Sequence, residues 1–509
     1  METSQYRREF AAYRSARGAA LYDFYTGATP APRLAPALER YGDLWSRDSI
    51  DSLERARDET PAQFETERAG LYALLGAARL AYADARAREV TEELSRCESS
   101  SAVAWGDERL TAEEARARAA EESDAARRRE LAARRLGAIS ACDDLRAARL
   151  SSLHDAAREL GFETYGALFA QATRTDYEGL LAAAEVLLAR TAHVYESRLA
   201  AWAARRLPNG SARDLSHADE PFFARLADFD RFFPAHDART LFEAALGSGG
   251  LRVERRASPR VEETTSTNSA AGRARCLGVR PPEDVRLAYR ARAGADFYRD
   301  FFYEGGRAEH LAWTSAELAA RHPEFVHSSD GATQAGFGFL LRSLFSDRAW
   351  LAAARGVRAS EAEEIARACA LVDLHDARRT CALAREEFEL LTGADPRSES
   401  FAESCAERRR EATGFHQTAA PCLFDLLRDD VPRASARLRA RLFAAALAEH
   451  LRSRHGARWW SSRAAGDELI DLWNTGSRYA AEELARLALS AAPDAELLAS
   501  SLDAAASAS

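Results

Sequence analysis

Apolar positions recur at helical spacing along most of this chain, and the period shortens to two only around residues 250–292. Between residues 6 and 149 strand signals are almost absent, and Pro and Gly are thin after Pro61, so long helices are expected there. Leu71, Leu74, Leu75, Ala78 and Tyr82 mark one apolar stripe. The stretch 113–135 is so charged that it reads as a solvated helix face or a hairpin arm. A second helical block begins near residue 150. Thr175 followed by Glu178 predicts a capping box, after which Leu180, Ala184, Leu187, Thr191, Val194, Arg198 and Trp202 outline one buried face. Phe222, Phe223, Phe229, Phe232 and Phe233 read as a core cluster.

Alternation of apolar and polar residues at 251–255, 275–280 and 285–290 predicts a small antiparallel sheet, with a polar mobile loop at 264–272. Helices resume at about Asp296. Ser360 with Glu363 predicts the cap of a long helix ending near Gly393, and a further helix spans 434–454. The Ala/Ser-rich end should fray. These elements predict a mainly α protein with an N-terminal helical domain at 1–150, a larger domain at 151–492 that contains the sheet, and a tail at 493–509. No repeat of solenoid length is present.

Composition narrows the function classes. Hydrophobic residues at 47% and charged residues at 29% describe a chain that buries a core. All 70 basic residues are arginine, spread along helices between acids, and the net charge is −9, so no nucleic-acid partner is expected. Residues 1–17 carry charge throughout and no charge-free run reaches membrane-spanning length, so neither a signal peptide nor a membrane anchor is expected. Cys97, Cys142, Cys276, Cys369, Cys381, Cys405 and Cys422 are odd in number, widely spaced and without CxxC; they read as reduced core thiols of a cytoplasmic protein.

The most informative segment runs from Phe297 to Trp313 and contains Tyr303-Glu304-Gly305-Gly306-Arg307. Two glycines inside a helix cost about 0.8–1 kcal/mol each relative to alanine, which implies a neighbour too close for a side chain. With the strand at 285–290 before it and Asp330-Gly-Ala-Thr-Gln334-Ala-Gly-Phe-Gly-Phe after it, the segment resembles the thimet oligopeptidase and oligoendopeptidase F group of gluzincin metallopeptidases. In that group an edge strand precedes a helix bearing HExxH, and a second helix supplies a glutamate ligand. Weaker similarity includes Phe229-Asp-Arg-Phe-Phe-Pro234 and Asp467-Glu-Leu-Ile-Asp-Leu-Trp473.

The resemblance implies a zincin-like scaffold with its metal chemistry removed. A catalytic zinc needs three protein ligands and an open position. Tyr303 and Arg307 stand where the histidines belong, Gln334 where the glutamate belongs, and Glu304 alone remains at the general-base position. The family's C-terminal tyrosine is absent too: the corresponding region, 429–441, carries Arg437 and Arg441 instead. The expectation is a pseudopeptidase without a zinc cofactor that binds a peptide or protein in the inherited cleft. An i, i+3 ion pair between Glu304 and Arg307 would replace the metal's charge. Alternatives are an interaction protein whose cleft has closed, and an active peptidase whose ligands have moved to His310, His322 and His327, with Glu309 close by. Cys276 as a nucleophile is weighed against a buried thiol. There is no GxSxG, phosphate loop or GxGxxG. Oligomeric state is not readable from these residues.

Overall fold

A computed structural model describes residues 1–29, 31–207, 210–251, 259–265, 273–327, 330–420, 422–427, 433–489 and 492–507. The chain has a mainly α fold, with 23 α-helices and five short strands among the described residues. Residues 252–255 of the expected strand at 251–255, most of the loop at 264–272 and residues 429–432 lie outside the described residues.

The centre is a chain of packed helices. Ala295–Trp313, here the site helix, packs on Ala332–Arg342, the partner helix; that one packs on Ala434–His455, which reaches Ala359–Leu391 and through it Tyr177–Arg206. Their buried faces carry Tyr195, Phe297, Phe301, Phe302, Phe337 and Phe443, with Trp473 of the helix Arg463–Asn474 beside them, so the apolar stripes legible in the sequence meet in one core. Phe223, Phe229 and Phe233 join this core, as expected of the aromatic cluster. Leu71, Leu74, Leu75 and Ala78 pack instead against Tyr6 and Phe10 of the N-terminal helix Thr3–Tyr25.

Two strands that the 6–149 reading did not foresee, β1 (Val103–Trp105) and β2 (Glu108–Leu110), form an antiparallel hairpin turning at Gly106, which has φ +59°. The charged 113–135 stretch is two helices, Ala112–Glu121 and Ala125–Ser140, and it is not wholly solvated: Arg128 is buried in an ion pair with Asp219 (2.7 Å). The helix caps are shifted from the expected boxes. Asp176, not Thr175, accepts from Gly179 N–H to open Tyr177–Arg206, and Glu361, not Glu363, reaches back to the Arg358 N–H before Ala359–Leu391. Thr175 instead bonds Thr173 and Arg439 inside the fold.

The second sheet corrects the expectation of a purely antiparallel one. Its order is β3 (Arg260–Glu263), β5 (Asp284–Tyr289), β4 (Arg275–Arg280); β4 and β5 are antiparallel, but β3 runs parallel to β5. Alternation in sequence marks strands and says nothing about their relative direction. β5, the strand that the resemblance would put at the edge, is central; β4 is an edge strand, and the N-terminal helix lies across it, with Gly18 so close that a Cβ there would meet the Gly278 carbonyl at 2.6 Å.

Two further expectations fail. Cys97 and Cys142 are joined by a disulfide, so not all cysteines are thiols. Their spacing of 45 residues gave no hint, because helix packing and not local sequence brings them together. The tail forms a helix, Ala495–Ser507, whose Leu498, Ala499 and Ala506 are buried against the long helices.

Candidate functional site

The paired glycines of the site helix are accounted for by contacts on two sides. A Cβ on Gly306 would stand 2.6 Å from the Phe337 carbonyl of the partner helix, and one on Gly305 would collide with the ring of Phe242. Gly338 of the partner helix faces the Tyr303 carbonyl in the same way, at 2.6 Å. The two backbones therefore approach closely along the Tyr303–Arg307 turn, bringing Gln334 beside it.

Tyr303, Glu304, Arg307 and Gln334 form one constellation. Arg307 Nη1 donates to Glu304 Oε2 at 2.7 Å, the i, i+3 pair expected from the sequence. Arg307 Nη2 donates to Gln334 Oε1 (3.4 Å), and Gln334 Nε2 donates back to the Arg307 carbonyl (3.3 Å). Burial alone would lower the Arg307 guanidinium, but the Glu304 carboxylate beside it raises it above its ordinary range. Glu304 Oε2 also accepts from the backbone N–H of Cys276 on β4 (2.9 Å), and Arg275 lies 3.8 Å from Oε1. The carboxylate is thus held by one helix neighbour and one strand, and it is 7% exposed against 27% for the Arg307 side chain. A guanidinium, rather than a void, separates the carboxylate from Gln334.

The Tyr303 ring lies tilted against Phe339, 4.9 Å between centroids, and Phe339, which packs with Ala440 and Ala444, also has three arginines around its ring. Arg441, Arg437 and Arg342 stand 4.3, 5.5 and 5.9 Å from its centroid. Asp376 accepts from Arg437 (3.0 Å) and Arg441, while Asp373 accepts from Arg299 (2.6 Å) and Arg342 (2.9 Å). Burial would raise both carboxyls; the surrounding arginines lower both, Asp376 to well below its usual range. Burial lowers the Arg441 guanidinium, and Arg342 and Arg437 add to the effect against the pull of Asp376. Four guanidiniums share Asp373 and Asp376 here, with Asp300 also acting on Arg342, and the Arg437 side chain is 36% exposed.

The histidines weighed as alternative ligands do not converge. His310 Nε2 donates to the Gly476 carbonyl at 3.0 Å, its ring lies 5.0 Å from Phe337, and burial pushes it down to about 4. His322 Nδ1 is 3.1 Å from Glu324, itself paired with Arg7, and His327 sits edge-on to Phe10. Glu309 accepts from Trp313 Nε1 (3.1 Å), and burial raises it to about 7. Among the described residues the one group of three donor side chains within metal-binding reach of one another is Glu386, Cys405 and Cys422, which includes none of these. Cys276 has its thiol pushed up to about 12 by burial, which disfavours the nucleophilic thiolate.

The chain matches no protein-family model and no curated protein.

Sequence reasoning missed the arginine cluster around Phe339 and the strand donor to Glu304. Arg437 and Arg441 are four apart on a helix, a spacing that puts both on one face, and that signal was available. The Cys276 N–H carried none, since a backbone donor has no residue identity.

Proposed function

We propose that this protein is a non-hydrolysing binding protein on a zincin-like, metallopeptidase-derived scaffold. The observation that carries the reading is Arg307, whose guanidinium lies between Glu304 and Gln334 where the resemblance to thimet oligopeptidase and oligoendopeptidase F would place the metal. Phenol, guanidinium and carboxamide are poor zinc ligands, and a fixed cation repels a second one. Glu304 Oε2, at the general-base position, is engaged by Arg307 and by the Cys276 N–H.

The ligand class follows from charge. Guanidiniums outnumber carboxylates around Phe339, and Arg437 and Arg307 keep part of their surface open, so an acidic peptide or protein segment is the favoured guest. Strand addition along β4 is the less favoured mode, because the Cys276 N–H is taken by Glu304 and the N-terminal helix abuts Gly278. Those same two contacts favour the second reading, an interaction protein with a closed cleft, in which acidic peptides would not bind.

The test is zinc content of the purified chain together with cleavage of a mixed peptide library, beside the variant Tyr303→His/Arg307→His/Gln334→Glu. The expected result for the natural chain is no stoichiometric zinc and no cleavage. Zinc-dependent cleavage by the natural chain would overturn the proposal.

A further inference from the structure

Cys405, on the helix Glu399–Thr413, and Cys422, first residue of the short helix Cys422–Leu427, are both buried. Their sulfurs lie 2.9 Å apart, inside the contact distance of two non-bonded sulfurs. Closing to the roughly 2.05 Å of a disulfide asks each side chain for less than about 1 Å of movement. The neighbours hold the two helices in place. Glu386 grips Arg409 through both carboxylate oxygens (2.6 to 3.1 Å), Arg409 reaches Asp425 on the short helix (3.0 Å), and Asp425 also accepts from Arg379 (2.6 Å).

We infer that Cys405 and Cys422 are a cross-linking site that forms a second disulfide, independent of Cys97–Cys142, on reaction with a disulfide oxidant. One thiolate of the pair attacks a sulfur of the oxidant and expels one thiolate. The other cysteine then attacks the mixed disulfide and expels the second thiolate. Two thiol protons pass to the two released thiolates, and two electrons reduce the oxidant. The bond ties the short helix to Glu399–Thr413 and fixes Asp425 against Arg409 and Arg379.

A metal held by Glu386, Cys405 and Cys422 is the competing use of these atoms. Both Glu386 oxygens are committed to Arg409, only 2% exposed, so a cation already occupies the carboxylate. Contact with Cys422 and burial push the Cys405 thiol far up in the closed fold, so attack on the oxidant follows opening of the short helix. Burial also means that the oxidant gains access during folding or when the short helix opens.

The experiment incubates the full chain with oxidised glutathione in enough urea to open the short helix, unfolds it in acid, labels free thiols with N-ethylmaleimide and weighs it intact. Five cysteines outside the Cys97–Cys142 bridge would take five labels if all stay reduced. The expected count is three, with a peptide joining 405 to 422 on proteolysis, and four for Cys405→Ser. Five labels, a cross-link to a different cysteine, or one zinc per chain lost in Cys405→Ser would overturn the inference. The peptide map of the natural chain decides the matter even if the variant fails to fold.

Discussion

Glu304 is the side chain on which the most depends, because it is nearly buried and its charge is balanced locally. Arg307→Ala leaves that carboxylate with the Cys276 N–H and the more distant Arg275. The expected loss is about 1–3 kcal/mol in urea unfolding, and Arg307→Ala/Glu304→Gln should recover part of it because the stranded charge is gone. An undiminished midpoint for Arg307→Ala would remove the ion pair from the account. Next to it, Glu309 and His310 give the chain opposing pH dependences. Glu309 has its folded value raised to about 7, so the folded state holds the proton longer and stability is lost as pH rises from the unfolded value towards 7. His310 has its folded value lowered to about 4, so its contribution is lost as pH falls from the unfolded value towards 4. Glu309→Gln should therefore gain stability relative to the natural chain on going from pH 5 to pH 7. Unfolding curves at the two values check the sign.

The contact between the site helix and its partner is set by glycines. Helix propensity alone favours Gly306→Ala by about 1 kcal/mol. The Phe337 carbonyl 2.6 Å from the new Cβ is backbone and yields poorly, so overpacking of about 1–3 kcal/mol should win and the melting temperature should fall. Gly305→Ala meets the edge of a side chain, Phe242, and should cost less. The opposite ranking would mean that the partner helix shifts easily. Helix spans were legible to within a few residues: the expected 434–454 is Ala434–His455 and the end near Gly393 is Leu391. Caps were not, because Thr175 and Asp176 are both good capping residues and the choice fell to whichever was not engaged by Arg439.

Across the chain, the disulfide and the arginine cluster connect distant segments. Cys97→Ser/Cys142→Ser opens a 45-residue loop and should lower stability by about 3–5 kcal/mol, read from unfolding with and without reductant. Binding of a tetraglutamate peptide, followed by calorimetry, should weaken about tenfold in Arg437→Gln and weaken again on raising salt from 0.05 to about 0.5 M. Tetralysine binding as tightly as tetraglutamate would exclude the acidic-ligand reading without bearing on the proposal that the chain does not hydrolyse peptides.

Apolar periodicity settled the mainly α character, most helix spans and the placing of the small sheet, since these depend on neighbours a few residues apart. The segment Tyr303-Glu304-Gly305-Gly306-Arg307 likewise announced a close helix contact and an i, i+3 ion pair, both local consequences of helical geometry. Packing over distance settled the rest: β3 parallel to β5, Cys97 against Cys142, Arg128 against Asp219, and Arg437 with Arg441 around Phe339. Each of those joins segments whose separation in sequence carries no information about their separation in space; only the shared helical face of Arg437 and Arg441 was legible beforehand.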